Sequence, residues 1–115
     1  MSAPALNAAA LERLRRIGGS KLLRDMAVLF LESGPDRVRS LLEGAEAGDA
    51  VRVERAAHSL KASAGNLGAL RLQEAAAALE LGAAAGGVDN DLVTRVVREY
   101  DASTDALRLL VERTG

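Results

Sequence analysis

The sequence contains no cysteine and very few aromatic residues. Among its 115 residues, Phe30 and Tyr100 are the only aromatic side chains. The absence of cysteine excludes a disulfide scaffold and a thiol nucleophile. No apolar run approaches the ~20 residues of a membrane span, and the N-terminus does not resemble a signal peptide. We therefore expect a cytoplasmic protein that does not associate with membranes.

An excess of charge of either sign is also missing. The chain has 15 Lys and Arg residues against 16 Asp and Glu residues, a formal net charge of -1. Binding to nucleic acid depends on many cationic contacts to phosphates, so this balance argues against it. The local cluster of Arg13, Arg15 and Arg16 is interpreted as the solvated end of a helix.

Residues that favour β-strands are sparse, whereas alanine and leucine are abundant. Hydrophobic residues make up 49 % of the chain, and alanine and leucine are strong helix formers. We predict an all-α protein with one domain over residues 1–115, of which residues 1–5 are frayed.

Glycine, proline and capping residues divide the first half of the chain into helices. A first helix is predicted from about residue 6 to 17, where Gly18-Gly19 ends it. Ser20 is predicted as the N-cap of a second helix that reaches about residue 32. Ser33-Gly34-Pro35 is predicted to break the chain, with Pro35 at the start of a third helix that ends near Gly48.

The second half continues this pattern. Asp49 is predicted to cap a fourth helix, and Asn66-Leu67-Gly68 is either a short turn or a weakened stretch of one continuous helix. A fifth helix ends in the region 82–87, and a long last helix follows from Val88-Asp89. Short connections favour antiparallel neighbours. We therefore predict an up-down antiparallel four-helix bundle with an additional short N-terminal helix packed at one end.

His58 is the only histidine in the chain and the main candidate for covalent chemistry. Imidazole can act as a proton acceptor and as a nucleophile near neutral pH. At 100° of rotation per residue, the core stripe of this helix falls on the side opposite His58: Val53, Ala57, Leu60, Ala64 and Leu67. His58 is therefore predicted to point outward, and the alternative is an ordinary surface histidine.

Five residues share the outward face with His58: Glu54, Arg55, Lys61, Ala62 and Gly65. Lys61 lies one turn further on, where its ammonium group can reach an anion bound at the imidazole. Ala62 and Gly65 have almost no side chain, which leaves space for a partner to approach. An alternative for Gly65 is that it begins the C-terminal cap of the helix.

The second helix is apolar on nearly every side, more than a single buried stripe requires. We predict an exposed partner patch beside His58 that involves some of four residues: Leu23, Met26, Ala27 and Phe30. The alternative is that all four residues belong to the core.

The segment from His58 to Gly68 resembles the signature of histidine-containing phosphotransfer (HPt) domains. It reads His-Ser-Leu-Lys-Ala-Ser-Ala-Gly-Asn-Leu-Gly. The shared pattern is a histidine, a lysine three residues on, small residues after it, and a glycine ten residues after the histidine. The family usually has glycine directly after the lysine, where this chain has Ala62. The wider likeness extends from about Leu11 to the last helix.

The resemblance implies that the protein is a phosphorelay intermediate. A response-regulator receiver domain, which carries an aspartyl phosphate and Mg²⁺, would pass its phosphoryl group to His58, and another receiver would take it. Lys61 would stabilise the phosphoryl oxygens. The expected partners are receiver domains and a hybrid histidine kinase. We expect a monomer with no intrinsic cofactor or metal and no autonomous kinase activity.

Two other functions are compatible with the sequence. One is a helical adaptor that binds receivers or other partners without taking phosphate. The other is the dimerisation segment of a histidine kinase, although such segments usually have a proline soon after the histidine, and Ser59-Leu60-Lys61-Ala62 has none.

Overall fold

Four α-helices build the structure. The structure is a computed structural model, and it describes residues 4–114. The helices are α1 (Ala8–Glu46), α2 (Ala50–Asn66), α3 (Leu70–Ala84) and α4 (Asn90–Thr114), and no strand occurs among these residues. Each helix packs against the next along the chain, and α4 packs against α1, which closes the ring. The prediction of an all-α four-helix bundle is confirmed.

The N-terminal part of α1 lies against the turn between α2 and α3. Asn7 caps the helix by accepting a hydrogen bond from the backbone N–H of Ala10, and its own N–H donates to the carbonyl of Gly68 at 2.7 Å. Gly68 has a φ of +67°, and a Cβ atom there would lie 2.6 Å from the Cβ of Ala10. Glycine is therefore required both by the backbone and by the close approach of the two segments.

The predicted first and second helices are two parts of α1, separated by a kink. Gly18 and Gly19 have non-helical backbone angles, and the φ of Gly19 is 71°. Ser20 was expected to cap a new helix, but it lies within α1 directly after the kink. Fraying was predicted for residues 1–5. Of these, residues 1–3 lie outside the described residues.

The predicted break at Ser33-Gly34-Pro35 is wrong, because α1 runs through all three residues. Gly34 is buried there, and a Cβ atom on it would lie 2.5 Å from the hydroxyl oxygen of Tyr100 in α4. The ring of Tyr100 stacks on Phe30 with 5.7 Å between the ring centroids. Packing against α4 therefore stabilises a helical path that the local sequence disfavours.

The remaining connections position α2 and the helices beside it. The predicted N-cap at Asp49 is confirmed, since its carboxylate accepts a hydrogen bond from the N–H of Arg52 at 3.1 Å. A turn at residues 67–69 separates α2 from α3, which excludes a single continuous helix. Asp89 accepts hydrogen bonds from the N–H groups of Asp91 and Leu92 at the start of α4.

Small and aliphatic side chains fill the core. The predicted core stripe of α2 is confirmed, with each member at most 1 % exposed: Val53, Ala57, Leu60, Ala64 and Leu67. Because many core residues are alanines, the helices can pack closely. No helix among residues 4–114 is long and apolar enough to cross a membrane.

Candidate functional site

His58 lies in the middle of α2 and faces away from the core. Its side chain is 64 % exposed, whereas Ala57 and Leu60 on the opposite side of the helix are fully buried. The predicted outward orientation of the histidine is therefore confirmed. An accessible imidazole on a rigid helix can be approached by another protein without any rearrangement of the bundle.

Glu80 of α3 connects His58 to Lys61. Its Oε2 atom lies 2.7 Å from Nδ1 of His58, and its Oε1 atom accepts a hydrogen bond from Nζ of Lys61 at 2.5 Å. The Glu80 side chain is only 18 % exposed. One carboxylate thus holds both the histidine and the lysine at the boundary between α2 and α3.

The lysine is the main reason why the pKa of Glu80 is lowered from its ordinary value. Its hydrogen bond to the carboxylate has the largest effect, partial burial opposes it, and the hydrogen bond with His58 lowers the pKa further. Glu80 is consequently ionised at neutral pH.

The ionised carboxylate determines which nitrogen of His58 is free. A carboxylate can only accept hydrogen bonds, so Nδ1 of His58 must be the donor. In a neutral imidazole with a proton on Nδ1, the lone pair is on Nε2. The arrangement therefore leaves Nε2 of His58 as the nucleophilic atom, on the ring edge away from Glu80.

Glu80 was not identified as a site residue from the sequence, although a signal for it exists. Helices α2 and α3 form an antiparallel hairpin that turns at residues 67–69. His58 and Glu80 are equally far from residue 69 along the chain, and so are Gly65 and Gln73, which also meet. Residues equidistant from the turn of such a hairpin lie at the same height, so the turn position would have predicted this contact.

The residues predicted to flank His58 differ in accessibility. Arg55 and Ala62 are exposed, and Glu54 and Gly65 are partly exposed. A Cβ atom on Gly65 would lie 2.8 Å from Nε2 of Gln73 in α3, so the glycine makes room for that side chain. Gly65 also takes part in the end of α2, since its carbonyl accepts a hydrogen bond from the N–H of Gly68 at 3.4 Å.

Of the four candidate residues for the predicted apolar patch on α1, three are buried, and for these the prediction is wrong. Leu23 and Ala27 are fully buried, and Phe30 is 3 % exposed, because these side chains point into the bundle and Phe30 stacks on Tyr100. Only Met26 is partly exposed. These three residues are therefore unavailable to a partner.

A shallow cleft between α1 and α2 lies beside Met26. Its apolar wall includes Met26 and Leu29, and Leu29 is 58 % exposed. Arg37 and Ser63 belong to its polar wall, and Arg37 donates a hydrogen bond to the hydroxyl of Ser63 at 2.7 Å. The sequence analysis did not single out Leu29, the most accessible large apolar side chain of this cleft.

No group of three or more His, Asp or Glu side chains within residues 4–114 is arranged to hold a metal ion. The acidic residue nearest to His58 is Glu80, and its oxygens are engaged with His58 and Lys61.

Comparisons with known proteins found one matching family and a similar solved structure. The family model of the Hpt domain matches residues 25–113. The crystal structure of histidine-containing phosphotransfer protein B from Pseudomonas aeruginosa PAO1 superimposes with a TM-score of 0.89 and 27 % sequence identity, over 97 % of this chain and 98 % of that chain. A search among curated proteins found no match.

The chain belongs to the Hpt domain family. Its role is histidine phosphotransfer in two-component signalling. Members of this family interact with histidine kinases and response-regulator receivers in phosphorelays.

Proposed function

We propose that the protein accepts a phosphoryl group on Nε2 of His58 from the aspartyl phosphate of one receiver domain and passes it to an aspartate of another. The observation that carries this proposal is the hydrogen bond between Nδ1 of His58 and the ionised Glu80, because it directs the lone pair of the imidazole toward solvent. A hybrid histidine kinase is the proposed upstream partner.

The transfer requires few groups from this chain. The lone pair of Nε2 attacks phosphorus, the P–O bond to the aspartate breaks, and the carboxylate leaves. Nδ1 keeps its proton, so the phosphorylated ring gains positive charge. This charge lies next to Glu80. The Glu80 carboxylate stabilises it much as the aspartate of a catalytic triad stabilises an imidazolium. Return transfer reverses these steps when an aspartate of the next receiver attacks phosphorus. The Mg²⁺ ion that such chemistry uses is proposed to belong to the receiver.

Lys61 is proposed to stabilise the phosphoryl oxygens. In the free protein its ammonium group is bound to Glu80 at 2.5 Å, and its side chain is 34 % exposed. It lies one helical turn from His58, so a modest rotation of this flexible side chain suffices to reach a phosphoryl group on the ring. The proposed role therefore includes an exchange of Lys61 between Glu80 and the phosphoryl group.

The receiver is proposed to dock over α2 and the cleft between α1 and α2. On α2, Lys61 lies on the α3 side of His58, and Ala62 and Arg55 lie on the α1 side. Ala62 is exposed and has only a methyl group, so it leaves an open path from the imidazole to the cleft. Met26 and Leu29 supply accessible apolar surface there. Glu54 and Gly65 complete the proposed contact surface on α2.

Transfer of labelled phosphate tests this function directly. The protein is incubated with a phosphorylated receiver, and the wild type is compared with His58→Gln. Acid-labile, base-stable label on the wild type alone is the expected result, because phosphohistidine has this stability and cannot form without the imidazole of His58. Lys61→Ala in the same assay should slow transfer about tenfold, whereas Lys21→Ala on the exposed surface of α1 should not.

Other outcomes of this assay would identify other functions. Label that reaches His58→Gln as efficiently as the wild type would place the acceptor elsewhere. Binding of several receivers without any label would indicate an adaptor, and label from ATP without a partner would indicate a kinase.

A further inference from the structure

The polar wall of the cleft between α1 and α2 is built around Arg37. Nη1 of its guanidinium group donates a hydrogen bond to the hydroxyl of Ser63 at 2.7 Å, and this contact is partly buried. Ser63 follows His58 by five residues, which is about 7.5 Å along the axis of α2. The apolar wall of the same cleft includes Met26 and Leu29. Arg37 is therefore held beside the helix that carries the phosphoacceptor, next to accessible apolar surface.

Arg37 is the one partly buried cation within residues 4–114 that has no carboxylate partner. Arg37, Lys61 and Arg71 are partly buried, and the other Lys and Arg residues in this part of the chain are exposed. Lys61 pairs with Glu80. Arg71 pairs with Glu99. No ion pair among the described residues engages Arg37.

The surroundings of Arg37 fit a carboxylate ligand. Even partial withdrawal of a cation from water is unfavourable unless an anion compensates for it, and the hydroxyl of Ser63 is neutral. A guanidinium group has five N–H donors in a planar fork that matches the two oxygens of a carboxylate. The bond to Ser63 uses one of these donors, so donors remain for a ligand. The apolar wall of the cleft limits the access of water to such a pair, which strengthens it.

We propose that Arg37 is a specificity determinant for the receiver domain and binds an acidic side chain of that domain. An apolar side chain of the receiver beside this carboxylate lies against Met26 and Leu29. The inference rests on the proposed function, in which a receiver docks over His58 and the cleft. Arg37 takes no part in the chemistry at the imidazole. It selects among receivers, because one without a carboxylate at this position would cover the guanidinium group and leave it unpaired.

Single-turnover transfer tests this role of Arg37. A phosphorylated receiver that labels the wild type is used in excess, and its concentration is varied to separate the half-saturating concentration from the maximal rate. Arg37→Gln should raise the half-saturating concentration about tenfold and leave the maximal rate unchanged. The effect of salt on the half-saturating concentration should also decrease, because a charge pair has been removed. Arg39→Gln is the matched control and should change neither quantity, since Arg39 is exposed and pairs with Asp36 on α1.

Charge reversal tests whether Arg37 contacts a carboxylate of the receiver directly. Arg37→Glu should weaken binding of the receiver more than Arg37→Gln does, because like charges then face each other. Each surface Asp or Glu of the receiver is replaced by Arg in turn, and binding is measured by titration calorimetry. One of these receiver variants should bind Arg37→Glu more tightly than the unchanged receiver does. If none of them does so, the proposed pair does not exist. Circular dichroism of each variant should show the helix content of the wild type.

The two measurements distinguish a failure of this inference from a failure of the proposed function. Transfer to Arg37→Gln with an unchanged half-saturating concentration would overturn the role of Arg37 and leave the function of His58 intact. A loss of maximal rate alone would place Arg37 in the transfer chemistry and would equally overturn its role in selection. A wild type that takes no label would overturn the proposed function. In that case a Kd for the receiver that Arg37→Gln raises would still support the contact, and an unchanged Kd would overturn it.

Discussion

At the scale of single residues, Glu80 defines the chemistry of the site. His58 alone is an exposed imidazole that can carry its proton on either nitrogen. The carboxylate of Glu80, held in ionised form by Lys61, accepts a hydrogen bond from Nδ1 and leaves Nε2 as the nucleophile. In the proposed transfer, the same carboxylate faces the positive charge that the ring would gain on accepting a phosphoryl group. Glu80 is thus proposed both to orient the nucleophile and to stabilise the product.

Glu80→Gln should reveal the lowered pKa of this carboxyl group as a pH-dependent loss of stability. The pKa of Glu80 is lower in the folded chain than in the unfolded chain. The ionised group therefore stabilises the fold fully at pH values above the pKa of the unfolded chain, which is about 4.3 for a glutamate. This stabilisation is lost as the pH falls through the pKa of Glu80 in the folded chain. Wild type should therefore exceed Glu80→Gln in free energy of unfolding by up to about 1 kcal/mol at pH 7, with the difference vanishing in acid.

Denaturant unfolding of both chains at neutral and acid pH measures this difference. Glu74→Gln is the matched control, since Glu74 lies on the exposed side of α3. The free energies of unfolding of wild type and Glu80→Gln could instead differ by the same amount at neutral and acid pH. That result would mean that the charge of Glu80 does not stabilise the packing of α2 against α3.

At the scale of secondary structure elements, the path of α1 through Gly34-Pro35 shows tertiary packing prevailing over local preference. Serine, glycine and proline in succession are typical of a helix boundary, and the helix continues nonetheless. The space left by the missing side chain of Gly34 is taken by the ring of Tyr100. Contact between α1 and α4 therefore compensates for the weak helix propensity of this segment.

Gly34→Ala should destabilise the bundle, whereas the same substitution in an open part of a helix should not. The added methyl group would overlap the Tyr100 ring, at a cost of about 1–3 kcal/mol in the free energy of unfolding. Gly82→Ala is the matched control, because nothing lies within 4 Å of a Cβ atom there, and it should stabilise α3 by up to ~1 kcal/mol. Denaturant unfolding measures both. Equal effects of the two substitutions would show that Tyr100 is not in tight contact with Gly34.

The features predictable from the sequence are those that depend on neighbours along the chain. Periodicity predicted the core stripe of α2 and the outward side of His58, and capping chemistry predicted the start of α2 at Asp49. The features that depend on other helices were missed. The burial of Phe30 results from its stacking on Tyr100 in α4, and the contact of Glu80 with His58 requires the register of the hairpin formed by α2 and α3.

At the scale of the whole molecule, the bundle separates its accessible surfaces. The imidazole and the cleft between α1 and α2 lie on one side, and a groove between α1 and α4, lined by Val38, Leu42 and Tyr100, lies on the other. A receiver bound over His58 would therefore leave the groove uncovered.

Leu29→Ala should weaken the binding of a receiver without affecting the fold. Leu29 is 58 % exposed at the cleft, so its truncation removes contact area from the proposed docking surface and should raise the Kd about tenfold. Leu109→Ala is the matched control, because Leu109 is 53 % exposed on α4. Titration calorimetry with one receiver measures both. A larger effect of Leu109→Ala than of Leu29→Ala would move the docking surface to α4.

The position of the phosphoryl group on the ring of His58 tests the central claim most directly. Because the chain has a single histidine, the ¹⁵N spectrum of histidine-labelled protein contains the signals of one imidazole. The neutral ring is predicted to have its proton on Nδ1, and after transfer from a phosphorylated receiver the ¹⁵N–³¹P coupling should appear at Nε2. A phosphoryl group on Nδ1, or on no nitrogen of this ring, would contradict the role assigned to Glu80 and His58.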